Sequence, residues 1–207
     1  MNLHLAKYEM SAGTSRQLPT PTLPEIVFSG KSNVGKSSLL NKLLNRKALA
    51  RVSATPGKTV TINFYQVDTV RFVDFPGYGY AKRPDAERRR WSELAEGYFA
   101  QDRNIALLVQ LIDIRHHHSK DDETMLRFLA DSGLPFVIVL TKADKLNKTQ
   151  LNKRLQEVEQ EMNFLPEGIE KIPVSSTSGS GIDRLMERIN GAVKEKTTIK
   201  IIKPKGE

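Results

Sequence analysis

The sequence predicts an α/β fold of three layers: a mostly parallel six-stranded sheet with one antiparallel edge strand, and helices on both faces. Three observations predict it. Short β-branched runs alternate with helical stripes of roughly a dozen residues, the rhythm of strand–helix–strand units. Two β-rich runs between Val60 and Phe75 are separated only by Asp68-Thr69, which reads as a hairpin and supplies the antiparallel strand. A glycine-framed turn, Gly30 to Gly35, joins the first apolar run to the first leucine-striped helix.

The elements follow in order. Residues 1–23 read as an extended N-terminal arm, because Pro19, Pro21 and the adjoining Pro24 remove backbone donors and disfavour helix. Ile26-Val27-Phe28 is the first strand, and leucines at 39, 40, 43 and 44 stripe a helix from Lys36 to Arg46. After the hairpin come a helix over 84–101, the apolar strand Ile105–Ile114, a helix near 121–131 and the strand Phe136–Leu140. A polar helix over 149–162, a short strand at 170–174 and a helix over 181–193 complete a core domain of residues 24–193. Residues 194–207 are lysine-rich and read as a basic tail.

At 207 residues, 39% hydrophobic and 27% charged, the chain is long enough and apolar enough for one well-buried core. No apolar run approaches the roughly 18 residues of a membrane span. There is no cysteine, which excludes disulfides, thiolate metal sites and cysteine nucleophiles, so a cytoplasmic protein is expected. The net charge is +8. Its distribution matters more: from Ile26 to Val67 there are Lys31, Lys36, Lys42, Arg46, Lys47, Arg51 and Lys58, and no acidic residue. Such a stretch suits a polyanionic partner.

Gly30-Lys31-Ser32-Asn33-Val34-Gly35-Lys36-Ser37 is a complete G-x-x-x-x-G-K-[ST] pattern between a strand and a helix. In that context the glycines let consecutive N–H groups face a phosphate at the positive end of the helix dipole. Lys36 would reach the β- and γ-phosphates, and the Ser37 hydroxyl would ligate Mg²⁺. Asp74-Phe75-Pro76-Gly77 ends a strand, so Asp74 could hold Mg²⁺ through water and the Gly77 N–H could sense a γ-phosphate. Thr141-Lys142-Ala143-Asp144 follows another strand. The Asp144 carboxylate can accept from both N1–H and the 2-amino group of guanine, a donor pair adenine lacks, while the Lys142 stem lies along the base. Val174-Ser175-Ser176 could offer backbone donors to the guanine O6. In Thr55-Pro56-Gly57-Lys58-Thr59, Thr59 is favoured over Thr55 as the hydroxyl that closes onto Mg²⁺.

Taken in this order, these elements resemble the P-loop GTPases, and more narrowly the EngB (YsxC/YihA) family of bacterial GTPases. The stretches that carry the likeness are Gly30–Ser38, Thr55–Thr59 with Asn63-Phe64, Asp74–Lys82 and Thr141–Asp144, within a match over about residues 5–193. The resemblance implies nucleotide contacts from Gly30 through Ser38, from Gly57, Lys58, Thr59, Val60 and Thr61, and from Asp74, Phe75, Pro76 and Gly77. It implies further contacts from Thr141 to Asp144 and Val174 to Ser176. Lys36, Thr59, Gly77 and Asn33 would serve hydrolysis, with Mg²⁺ and, through an Asn33 carbonyl oxygen, K⁺ as cofactors. It further implies a monomeric cytoplasmic switch, free of membranes, that acts on the precursor of the large ribosomal subunit and supports growth and septation.

Two positions depart from the broad GTPase pattern. Thr141 replaces the usual asparagine, and Tyr78 follows Gly77 where many GTPases place a water-orienting glutamine. Slow intrinsic turnover is therefore expected. The alternative is a small-metabolite kinase with an arginine-rich lid at Arg83–Arg90. His116-His117-His118 reads as an exposed polar loop more than a metal cluster. Trp91 reads as a packing residue, and Lys153, Arg154, Glu157, Glu159 and Glu161 as a solvated helix face.

Overall fold

The computed structural model describes residues 1–46, 49, 60–79 and 84–202, with side chains through 196. The Thr55–Thr59 loop, Lys47, Arg51, Tyr80–Arg83 and the last basic residues, Lys203 and Lys205, lie outside the described residues. The strands are β1 (Lys7–Ala12), β2 (Glu25–Gly30), β3 (Ile62–Val67), β4 (Val70–Asp74), β5 (Ile105–Asp113), β6 (Phe136–Thr141) and β7 (Lys171–Pro173). The helices are α1 (Lys36–Leu43), α2 (Asp85–Phe99), α3 (Lys120–Ser132), α4 (Lys148–Glu161) and α5 (Ile182–Ile202).

They form one sheet in the order β1-β3-β4-β2-β5-β6-β7. β4, β2, β5, β6 and β7 pair in parallel, while β3 runs antiparallel to both β4 and β1. Every residue of β2 is buried, as expected for a strand covered on both faces. Ile26, Phe28, Val109 and Leu111 point to one core with Leu39 and Leu40 of α1 and Leu185 and Ile189 of α5. Val27, Leu108 and Ile112 point to the other, with Leu94 and Tyr98 of α2, Leu126 and Leu129 of α3 and Val158 of α4.

The α/β, mostly parallel architecture is the one the sequence predicts, with two differences. The sheet has seven strands rather than six, because residues 7–12 of the supposed arm pair with β3 and take the edge. The hairpin strand is therefore interior. The arm is also held by charge: Arg71 donates to both oxygens of Glu9 at 2.8 Å and to the Thr20 carbonyl at 3.0 Å. At the other end, α5 runs past 193 to Ile202, since no proline or glycine interrupts residues 192–203. Lys194 and Lys196 are therefore helical rather than part of a free tail.

Candidate functional site

The loop after β2, the end of β4, the end of β6 and the loop after β7 all lie at the carboxyl edge of the parallel strands, where α/β sheets bind ligands. The phosphate loop is built by backbone geometry. Gly35 caps α1 at φ 105°, a left-handed conformation that disfavours a Cβ, and Asn33 is also left-handed at φ 64°. The Val34 N–H closes a turn onto the Lys31 carbonyl at 3.1 Å, and the Leu39 N–H donates to the Gly35 carbonyl to start the helix. That leaves the first-turn N–H groups of Lys36, Ser37 and Ser38 without an intrahelical partner, directed at the loop's concave side.

The end of β4 meets this loop. The Lys36 ammonium pairs with Asp74 Oδ1, while Asn63 Nδ2 lies 3.5 Å from Asp74 Oδ2. Ser32 N–H donates to the Tyr78 carbonyl at 2.9 Å, and Tyr78 N–H donates to the Gly30 carbonyl at 3.3 Å. Gly77 is squeezed by this pairing: a Cβ there would lie 3.0 Å from Ser32 backbone atoms. Phe75 and Val60 are core residues by side chain, and Thr61 is half-buried just before β3. The Phe75 ring stands edge-on to Tyr98 at 4.8 Å, and the Pro76 carbonyl accepts the Trp91 indole N–H at 2.8 Å. Trp91 thus has the packing role expected of it.

Thr141–Asp144 joins the same edge. The buried Thr141 hydroxyl lies 2.7 Å from the Val34 carbonyl, so threonine does reach the phosphate loop from the position where asparagine is usual. Lys142 is left-handed at φ 61°, a strained conformation for a residue with a Cβ, and its ammonium holds Asn33 O at 2.9 Å and Asp113 Oδ2 at 2.8 Å. Ala143 N–H donates to the Val174 carbonyl. Fully buried Ser175 donates its hydroxyl to Asp144 Oδ1 at 2.7 Å, and this bond, opposed by partial desolvation, holds the Asp144 carboxyl below the ordinary carboxylate range. Ser176 is half-buried in the same loop, and Val174 packs in the core. Glycine-framed loop, Asp74–Gly77, Thr141–Asp144 and Val174–Ser176 are thus brought together. Gly57, Lys58 and Thr59 fall outside the described residues.

Several site neighbours carry no local sequence signal. Burial works to raise the Asp113 pKa, but hydrogen bonds from Arg115 and Lys142 outweigh it and hold the carboxyl well below its ordinary range. Beside the loop lies a cleft of about 340 Å³ lined by Lys31, Asn33, Asp113, His116, Asp122 and Lys142 among others. Among the described residues no group of three or more histidine or acidic side chains could hold a metal ion. His117 Nδ1 instead meets Glu161 at 2.5 Å. Arg154 does not lie on the solvated helix face that its sequence neighbours suggest. It is 9% exposed and donates to the Ile114 and His116 carbonyls and to both oxygens of Glu161, clamping the histidine loop onto α4.

Comparison with known proteins agrees with this geometry. The family model described as 50S ribosome-binding GTPase matches residues 25–142, and the elongation factor Tu GTP-binding domain matches 93–195. A probable GTP-binding protein EngB of Streptococcus pneumoniae is 43% identical over 190 residues, covering 91% of this chain and 97% of the relative. The chain belongs to the EngB family of GTP-binding proteins. An EngB relative from Exiguobacterium sibiricum is likewise 43% identical, with 91% of this chain and 98% of that protein covered. Among solved structures, a probable EngB crystal structure superposes with a TM-score of 0.67 at 24% identity, covering 83% of this chain and 99% of that one. Era crystallised with a 16S ribosomal RNA fragment matches with a TM-score of 0.63 at 23% identity, over 89% of this chain and 58% of Era. The chain is therefore a GTPase, and the kinase alternative is set aside. Among the described residues no helix is long and apolar enough to cross a membrane.

Proposed function

We propose that this EngB-family GTPase is a slow, cytoplasmic, monomeric switch that engages the precursor of the large ribosomal subunit in one nucleotide state, with growth and septation depending on that step. The observation that carries the switch is the backbone pairing of Tyr78 with Ser32 and Gly30. It holds Gly77 against the phosphate loop, where its N–H would detect a γ-phosphate. Asp144, fixed by Ser175, selects guanine; Lys142 lines the base; and Lys36 neutralises the β- and γ-phosphates.

Ser37, the first hydroxyl after Lys36, and Asp74, which pairs with Lys36, are hard oxygen donors of the kind Mg²⁺ takes, with Thr59 as the hydroxyl that closes from the neighbouring loop. When bound, the ion would neutralise charge developing on the phosphates. Hydrolysis is slow because Tyr78, turned into the interior, supplies no amide to orient water. Asn33, exposed at its left-handed position, would offer a carbonyl oxygen to K⁺. K⁺ is then expected to accelerate turnover relative to Na⁺, a difference Asn33→Ala removes; equal rates in the two salts would exclude K⁺.

The ribosomal partner is supported by the basic stretch and by the ribosome-binding description of the matching family. Lys42 rests its stem near Gly179, and Arg46 donates to the His4 carbonyl, so both cations have defined positions beside the site. Neutralising about five RNA phosphates would give a log-affinity against log-salt slope of roughly −3.5 to −4.5. The test is sedimentation with ribosomal particles in GDP and in a non-hydrolysable GTP analogue, at several salt concentrations. Binding is expected to favour the analogue, fall steeply with salt, and weaken in K42A/R46A/K47A. Salt-independent binding that survives the triple substitution would withdraw the RNA contact.

A further inference from the structure

Gln110 is the only polar residue in the run Ile105–Ile112 and is completely buried. Its amide donates to the Tyr78 hydroxyl at 2.6 Å, and that hydroxyl donates to Asp122 Oδ1 at 2.6 Å. Asp122 Oδ2 in turn accepts the Ser119 N–H at 2.8 Å and the Ser119 hydroxyl at 2.7 Å, closing the cap of α3. Asp122 is 5% exposed and Tyr78 8% exposed. This chain begins one residue after Gly77 and ends at a helix terminus outside the nucleotide motifs. Tyr78 is thus tied twice, by its backbone to the phosphate loop and by its side chain to α3.

We infer that Tyr78 and Asp122 are positioning residues for the γ-phosphate response: the buried phenol–carboxylate bond sets Gly77 against the loop and couples it to the N-terminus of α3. The inference rests on the proposed role of Gly77 as γ-phosphate sensor. A rearrangement of Gly77 moves the adjoining Tyr78, and a buried carboxylate oxygen cannot give up its donor without leaving an unsatisfied acceptor in the interior. The cap Ser119 and the loop that leads to it therefore follow the nucleotide. Burial and the neighbouring Asp122 carboxylate both push the phenol far above its ordinary range, so it remains a hydrogen-bond donor at any physiological pH.

The test uses the full chain and compares affinities for GDP and for a non-hydrolysable GTP analogue. Tyr78→Phe keeps the ring, which stands edge-on to Trp91 at 6.2 Å, and removes only the hydroxyl. The analogue is expected to lose at least about fivefold in affinity relative to GDP, the lower end of ordinary coupling between sites. Tyr78→Phe combined with Gln110→Met removes the amide that the first change strands, so part of the lost melting temperature recovers while the analogue-to-GDP gap persists. A gap that closes as stability recovers, or no gap in Tyr78→Phe, overturns the coupling. Gly77→Ala separates the two readings. If it shifts the analogue-to-GDP ratio and Tyr78→Phe does not, the coupling alone fails; if Gly77→Ala leaves the ratio unchanged, the sensor reading fails and the inference with it.

Discussion

The two ends of the parallel strands use the same side-chain chemistry to opposite ends. At the amino edge, Glu25 is fully buried, and both its oxygens are taken by the chain itself. Arg103 donates at 2.6 and 2.8 Å, Tyr98 at 2.6 Å and Arg71 at 3.2 Å. Arg103 also holds the Pro19 carbonyl, and its guanidinium lies 4.6 Å over the Tyr98 ring. At the carboxyl edge the charges are less buried and come from separate loops, and the contact between Lys142 and the Asn33 carbonyl joins two residues on left-handed backbone. A carboxylate saturated by fixed partners makes a scaffold. Charges that meet across independently strained loops can exchange their partners for a ligand's, and that is what a switch requires.

The sharpest way to break this contrast is at Asp144. Asp144→Asn replaces an acceptor pair by one donor and one acceptor, mismatching guanine and suiting xanthine. Two charge-assisted bonds of about 1.5–3 kcal/mol each are lost, so GTP affinity should fall by roughly 10²–10⁴-fold, with a relative gain for XTP. The melting temperature without nucleotide should barely move. GTP affinity unchanged in equilibrium titration would remove Asp144 from the site.

Arg103→Met tests the other edge. It strips the buried Glu25 of its bidentate partner and should cost about 3–5 kcal/mol in denaturant unfolding. GDP and GTP affinities of the folded protein should stay within about twofold, since distant sites are additive. A large loss of nucleotide affinity at preserved stability would show that the edges are not separate.

The smallest effect concerns pH. Asp144 and Asp113 both hold folded-state pKa values below their ordinary range. Depressed carboxyls contribute stability that is fully present above the ordinary carboxylate pKa and is lost as pH falls toward the folded value. Asp113→Asn should therefore flatten the loss of thermal stability below about pH 4 and change nothing at pH 7 beyond the missing Lys142 and Arg115 contacts. An unaltered acid limb would mean that Asp113 is not among the groups that govern it.

Sequence and structure agree where chemistry is consecutive. Gly30–Ser37, Asp74–Gly77 and Thr141–Asp144 are legible because each motif lies on one strand–loop junction, and strand alternation with helices places those junctions at one edge. Pairings of distant side chains are not legible. Nothing local joins Tyr78 to Asp122 or Arg154 to Ile114, and the charge pattern of α4 conceals that Arg154 turns inward. Gln110 alone left a trace, as one polar residue in an apolar strand. In β1, Tyr8, Met10 and Ala12 alternate with polar residues, but three neighbouring prolines and an irregular register between Tyr8 and Met10 obscure a strand that is mostly exposed.

Amide hydrogen exchange in GDP and in a non-hydrolysable GTP analogue tests the central contrast most directly. Protection is expected to change in the peptides spanning Lys31–Ser38, Phe75–Gly79 and Ser119–Asp122. Protection in those containing Glu25, Arg71, Tyr98 and Arg103 should remain the same in both nucleotides. Equal changes at both edges, or none at Phe75–Gly79, would contradict a switch confined to the carboxyl edge of the sheet.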